Sequence, residues 1–264
     1  MLGKLIKNEF KATARNFLPI YLIMLTITVF LKVLLEIQTN AGIENTFIDI
    51  LFGLLMITFI LAIIAIFFVT AILIIKRFYD NMLKDEGYLS FTLPVTTGQH
   101  LMSKVLVGYA WMIVSFVIIV LSVTILFLGD GEFWEAIQKG FSQAIELVNA
   151  NGMWHFVIEI IMICLIGLYA NIMLGYTCFS VGQNFNKHRV VGAFITYMAI
   201  YIITQIVSSV FMVFLLNMDM SEEVSVMSDM FQPFMIYTLA FTLIEAVVFT
   251  VITYFMLSRR LNLE

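Results

Sequence analysis

The chain alternates long apolar runs with short polar intervals. The apolar runs lie at about 17–35, 48–75, 101–128, 156–183, 190–216 and 234–257. Each is close to or longer than the roughly 20 residues that a helix needs to cross a bilayer. The 48–75 run exceeds that length, so it has to tilt or project from the membrane. The polar intervals carry helical patterns of their own. Residues 1–15 place Leu2, Ile6 and Phe10 on one face, with Leu5 close by and Thr13 as a weaker continuation. Lys4, Lys7, Lys11 and Arg15 crowd the other face. That arrangement predicts an interfacial helix lying on an anionic leaflet. Residues 130–151 are patterned likewise. Phe133, Ile137, Phe141, Ala144, Ile145 and Val148 recur at helical spacing with Trp134 beside them, while Glu132, Glu135, Lys139 and Glu146 take other faces. An amphipathic outer helix with its aromatic residues at the lipid boundary is expected there. The 217–233 interval is acidic, with Val224, Met227 and Phe231 roughly in phase. It fits a short helix dipping into the outer leaflet.

The interval from Lys76 to His100 is the long polar break in the first half that holds both charge signs. Phe78 and Met82 are one turn apart, as are Tyr79 and Leu83, which gives a small apolar edge. Gly87 is placed to end a helix, and Pro94 stops any continuation. Thr96-x-x-Gln99 reads as a capping box that opens the next helix. The interval therefore predicts a short helix, a bend and a fresh helix start.

Composition agrees with this pattern. The chain is 62% hydrophobic and 12% charged, whereas a soluble domain is nearer half apolar and a quarter charged. The expected fold class is an all-α polytopic membrane protein of six transmembrane helices in a single domain, 1–264. The net charge of −4 conceals a sorting of signs by side. Lys4, Lys7, Lys11, Arg15, Lys76, Arg77, Lys84, Lys104, Lys187, Arg189, Arg259 and Arg260 all fall on one side of the spans. Lys104 is expected to snorkel from the inner end of the third span. By the positive-inside rule both termini are cytoplasmic in a multi-pass protein of the cell membrane. Cys164 and Cys178 lie in one apolar run, about 21 Å apart along a helix, too far for a disulfide.

Catalytic signatures are missing. No G-x-x-x-x-G-K-[ST], H-E-x-x-H or G-x-S-x-G motif occurs, so no enzyme chemistry, bound cofactor or metal is expected of this chain. His100, His155 and His188 stand at membrane edges in different intervals, as interface residues. Three polar residues fall near the middle of the last three spans: Asn171, Gln205 and Glu245. A charged carboxylate at that depth costs on the order of 3 kcal/mol. Two readings stand open. In one, Glu245 is neutral and hydrogen-bonded to Gln205 or Asn171 as packing glue between helices. In the other, the three mark a polar patch on a translocation path. Gly167, Asn171, Gly175, Cys178 and Gly182 form a stripe of mostly small residues on the fourth span, which suits close helix packing within the chain.

The residues of RFYDNMLKDEGYLSFTLPVTTGQHLMSK carry a resemblance. Phe78-Tyr79, Asp85-Glu86-Gly87-Tyr88-Leu89 and Thr92-Leu93-Pro94-Val95 are similar to the loop between the second and third spans of type-2 ATP-binding-cassette (ABC) exporter permeases. The likeness is greatest to small Gram-positive permeases tied to peptide and antibiotic export or self-immunity. It covers roughly thirty residues; elsewhere the chain is similar only in span count, orientation and amphipathic start. The resemblance implies an N-terminal elbow helix and a coupling helix carrying Phe78, Tyr79, Met82, Leu83, Asp85 and Glu86 into an ATPase subunit. It also implies a second permease subunit, ATP and Mg held by the partner ATPase, a lipid bilayer as surroundings and no nucleic acid. The cargo would be a peptide, antibiotic or lipid-like amphiphile. Alternatives are a membrane enzyme or scaffold using Glu245 and Asn171, and a stand-alone ion-coupled carrier with Glu245 titrating.

Overall fold

The computed structural model describes residues 2–41, 46–84, 87, 95–150, 152–185, 188–216 and 226–259. These residues form seven helices: α1 (Leu2–Ala41), α2 (Thr46–Met82), α3 (Thr97–Leu126), α4 (Gly131–Ala150), α5 (Trp154–Gly182), α6 (Arg189–Leu216) and α7 (Val226–Arg259). All but α4 are long and apolar enough to cross a membrane, which makes six candidate spans. This is a helical, multi-pass membrane protein. Leu, Ile, Val and Phe side chains dominate the exposed helix faces. Lipid tails are as apolar as those side chains, so helices in such surroundings associate through close packing and hydrogen bonds. By its contacts the chain divides into two compact units, one of 1–76 and 106–145, the other of 77–105 and 146–264.

The first unit is built around Trp111 of α3. Its indole stacks on Phe10 at 4.6 Å and on Phe17 at 4.5 Å between ring centres. Its Nε1 donates to Thr13 Oγ1 at 2.8 Å. These contacts change the reading of the N-terminus. The stretch 1–15, expected as an interfacial elbow, forms from Leu2 onward the first part of one continuous helix, α1, of 40 residues. At 1.5 Å per residue it is about 60 Å long, twice the hydrocarbon thickness of a bilayer. The amphipathic face does form: Lys4, Lys7, Lys11 and Arg15 are exposed while Thr13 and Phe17 are buried. Trp111 covers Phe10, Thr13 and Phe17, so much of that face is a packing surface of the unit.

Farther along α1, Tyr21 Oη and Thr70 Oγ1 of α2 each lie 2.8 Å from Ser115 Oγ of α3. All three side chains are buried. Gly108 lets α2 and α3 approach, since a Cβ there would lie 2.9 Å from Ile74 Cγ2. Lys32 pairs with Glu36 at 3.5 Å and donates to the Leu128 carbonyl beyond the end of α3. Asp130 caps α4 by accepting from the Phe133 amide at 3.1 Å. Phe133 stacks on Phe127, and Trp134 Nε1 donates to the Phe127 carbonyl at 3.0 Å. The amphipathic helix expected at 130–151 is thus present, with no buried residue in it.

In the second unit α6 and α7 both pack on α5. Threonines join α5 to α7: Thr177 Oγ1 lies 2.9 Å from Thr253 Oγ1 and 3.1 Å from the Phe249 carbonyl. Tyr169 Oη lies 2.8 Å from Thr250 Oγ1. At Gly182, where α5 turns toward α6, an added Cβ would lie 2.5 Å from the Ala193 amide nitrogen. α7 begins at Val226 and runs through Pro233, earlier than the expected start near 234. Asp219, Glu222, Glu223 and Val224 of the acidic interval lie outside the described residues.

Candidate functional site

The capping box at the start of α3 is formed as the spacing predicts. The Gln99 amide donates to Thr96 Oγ1 at 3.3 Å, and the Thr96 amide donates to Gln99 Oε1 at 3.4 Å. The other end of the 76–100 interval departs from expectation. Residues 76–82 are not a separate short helix; they are the last turns of α2. Their apolar edge faces inward. Phe78, Met82 and Leu83 are fully buried in the second unit. Phe78 stacks on Tyr176 of α5 with ring centres 4.0 Å apart, and Tyr79 meets Phe179 at 5.2 Å. The edge that was expected to enter a partner is therefore occupied within the chain. The outward surface of this turn holds the half-buried Tyr79 and Asp80 with the exposed Lys84. Lys84 pairs with Asp80 at 2.8 Å and lies 4.9 Å from the Tyr79 ring centre. Asp85 and Glu86 lie outside the described residues, as do 88–94. Lys104 does not snorkel either. It is buried, and its Nζ donates to Asn81 Oδ1 at 3.3 Å.

The mid-span polar residues meet differently from the expectation. A cavity of about 110 Å³ lies among α5, α6 and α7. Asn171, Tyr197, Tyr201, Thr204, Thr242 and Glu245 supply its polar lining, with Gly167 on the α5 side. Gln205 is not among the lining residues; it is exposed, and Thr204 beside it takes that place. Glu245 stands at the midpoint of the 231–259 span. Among the described residues it makes no hydrogen bond or ion pair with Asn171 or Gln205. Asn171 Nδ2 is used within its own helix, donating to the Gly167 carbonyl at 2.8 Å. The glue between α5 and α7 is supplied instead by Thr177, Thr253, Tyr169 and Thr250.

The small-residue stripe on α5 consequently divides. Cys178 and Gly182 are buried in packing. Gly167 and Asn171 open onto the cavity, and a Cβ at Gly167 would meet nothing within 4 Å. Tyr201, Thr204 and Thr242 also line the cavity, and as hydroxyl-bearing residues they do not stand out in an apolar run as charged and amide side chains do. Their signal in the sequence is their depth, which matches that of Glu245. Among the described residues no three His, Cys, Asp or Glu side chains gather as a metal site.

Comparison with family models, with characterised proteins and with solved structures finds no match for this chain.

Proposed function

We propose that this chain is a permease subunit of an ATP-driven exporter, working with separate ATPase subunits and a second permease subunit in the cell membrane. Both termini would be cytoplasmic, and the chain itself would do no covalent chemistry. The cargo would be a peptide, antibiotic or lipid-like amphiphile. The sequence of the 76–100 interval motivates this reading. The observation that carries it is the stack of Phe78 on Tyr176. Tyr176 and Asn171 are on the same helix, about 7.5 Å apart along its axis. A push on the end of α2 would thus reach α5 through packed rings, and α5 forms one wall of the cavity. Packed side chains of this kind shift between discrete arrangements instead of deforming gradually. In this version of coupling Phe78, Met82 and Leu83 transmit force inside the chain. Tyr79, Asp80 and Lys84 provide the outward surface, next to Asp85 and Glu86 in sequence.

The carrier reading also draws on a specific observation, Glu245 in a cavity at mid-span depth with no partner among the described residues. Purification of the tagged chain from native membranes in mild detergent separates the two. The permease reading expects a nucleotide-binding ATPase to co-purify in stoichiometric amount, and to be lost when Tyr79→Ala and Asp80→Arg are combined. Transport by the chain alone in vesicles without nucleotide would favour the carrier.

A further inference from the structure

We propose that the cavity among α5, α6 and α7 binds the primary ammonium head of a cationic amphiphile, with Glu245 as counter-ion. The hydrogen-bonding direction of the lining points to a donor. Thr204 Oγ1 donates its proton to the Tyr201 carbonyl at 2.9 Å, and Thr242 Oγ1 donates to the Thr238 carbonyl at 2.9 Å. Asn171 spends an amide proton on the Gly167 carbonyl at 2.8 Å. Those groups retain oxygen lone pairs, and Glu245 adds a carboxylate. Among the described residues no Lys, Arg or His lines the cavity. The described lining is therefore rich in acceptors and carries no positive charge. The Tyr197 and Tyr201 hydroxyls and the second Asn171 amide proton can still donate, but an anion would face the Glu245 charge, whereas an –NH₃⁺ group brings three donors and the opposite charge.

Two further features suit an ammonium with an apolar tail. Tyr197 and Tyr201 stand side by side with ring centres 6.5 Å apart, and both line the cavity. Aromatic rings near a carboxylate attract ammonium groups through the ring quadrupole. Both tyrosines are about half exposed, so the cavity opens to the outside of the unit. Met198 and Ile202 on α6 and Ile244 on α7 are exposed apolar residues at similar depth. The volume of about 110 Å³ accepts the head and the first carbons but not a whole amphiphile. A carboxylate at mid-span is costly when alone, and a bound cation offsets part of that cost.

Treating this ligand as cargo rests on the permease reading; binding itself is measured on the chain alone, without an ATPase or nucleotide, so the two fail separately. The full chain in lipid nanodiscs is titrated with hexylammonium by calorimetry, with empty nanodiscs subtracted. Saturable binding at one site per chain is expected, and neither hexanol nor hexanoate should compete. Glu245→Gln should weaken binding roughly tenfold or more. Tyr201→Leu should weaken it about threefold to tenfold, while Tyr201→Phe keeps the ring and most of the affinity. Gly167→Leu places a side chain where space is open and should block binding with the melting temperature maintained. It supplies an independent test should Glu245→Gln misfold. Unsaturable partitioning, equal affinity in Glu245→Gln or in folded Gly167→Leu, or displacement by potassium at matched ionic strength would each overturn the proposal.

Discussion

In the first unit Tyr21, Thr70 and Ser115 close a chain of 2.8 Å contacts across α1, α2 and α3. In the second, Asn171, Thr204 and Glu245 reach one cavity from α5, α6 and α7, with no hydrogen bond between these side chains among the described residues. Both sets lie within candidate membrane spans. The first is buried and satisfied, so its polarity serves to hold helices together. The second retains free acceptors and an acidic group at the midpoint of a span, and it leaves helix association to Thr177 and Thr253. A polar residue at membrane depth is thus not informative by type alone. What distinguishes glue from a site is whether its partner belongs to the chain.

Substitutions can sharpen or break that contrast. The largest effect is expected at Trp111, which holds Phe10, Phe17 and Thr13. Trp111→Ala should cost about 3–5 kcal/mol in reversible unfolding in mixed micelles. A loss below about 1 kcal/mol would mean that the N-terminal part of α1 is not fixed to α3. Ser115→Ala comes next, at about 1–3 kcal/mol, because Tyr21 Oη and Thr70 Oγ1 both lose a buried partner. Thr177→Val in the second unit should cost about 1 kcal/mol by the same measurement, with its shape preserved and one hydroxyl removed. Lys84→Ala is expected to move stability by less than about 0.5 kcal/mol, since its pair with Asp80 is exposed. If Lys84→Ala were as costly as Ser115→Ala, the outward turn after α2 would be structural instead of an available surface.

Depth was legible in the sequence, and direction around the helix was not. Six spans follow from run length, and α4 from its apolar periodicity, because both signals are local. The Thr96–Gln99 capping box is local too, and it formed. Gln205 and Thr204 show the limit. They differ by one residue in depth but by about 100° around the helix, and only the latter lines the cavity. The apolar edges of 1–15 and 78–83 were identified as edges. Their occupants were hidden because Trp111 and Tyr176 are distant in sequence, and an apolar face reads the same whether lipid, a partner or the chain itself covers it. Lys104 was placed at the inner end of its span by the rule for long cationic side chains, yet Asn81 supplies an acceptor that keeps it buried.

The central claim is that Glu245 serves a cavity and not the cohesion of the bundle. Unfolding of Glu245→Leu in mixed micelles, measured beside Ser115→Ala, tests it most directly. With no partner to orphan among the described residues, Glu245→Leu should unfold within about 0.5 kcal/mol of the parent chain or be slightly more stable. A loss of about 1–2 kcal/mol, matching that of Ser115→Ala, would show that Glu245 holds α7 to its neighbours and would contradict the account.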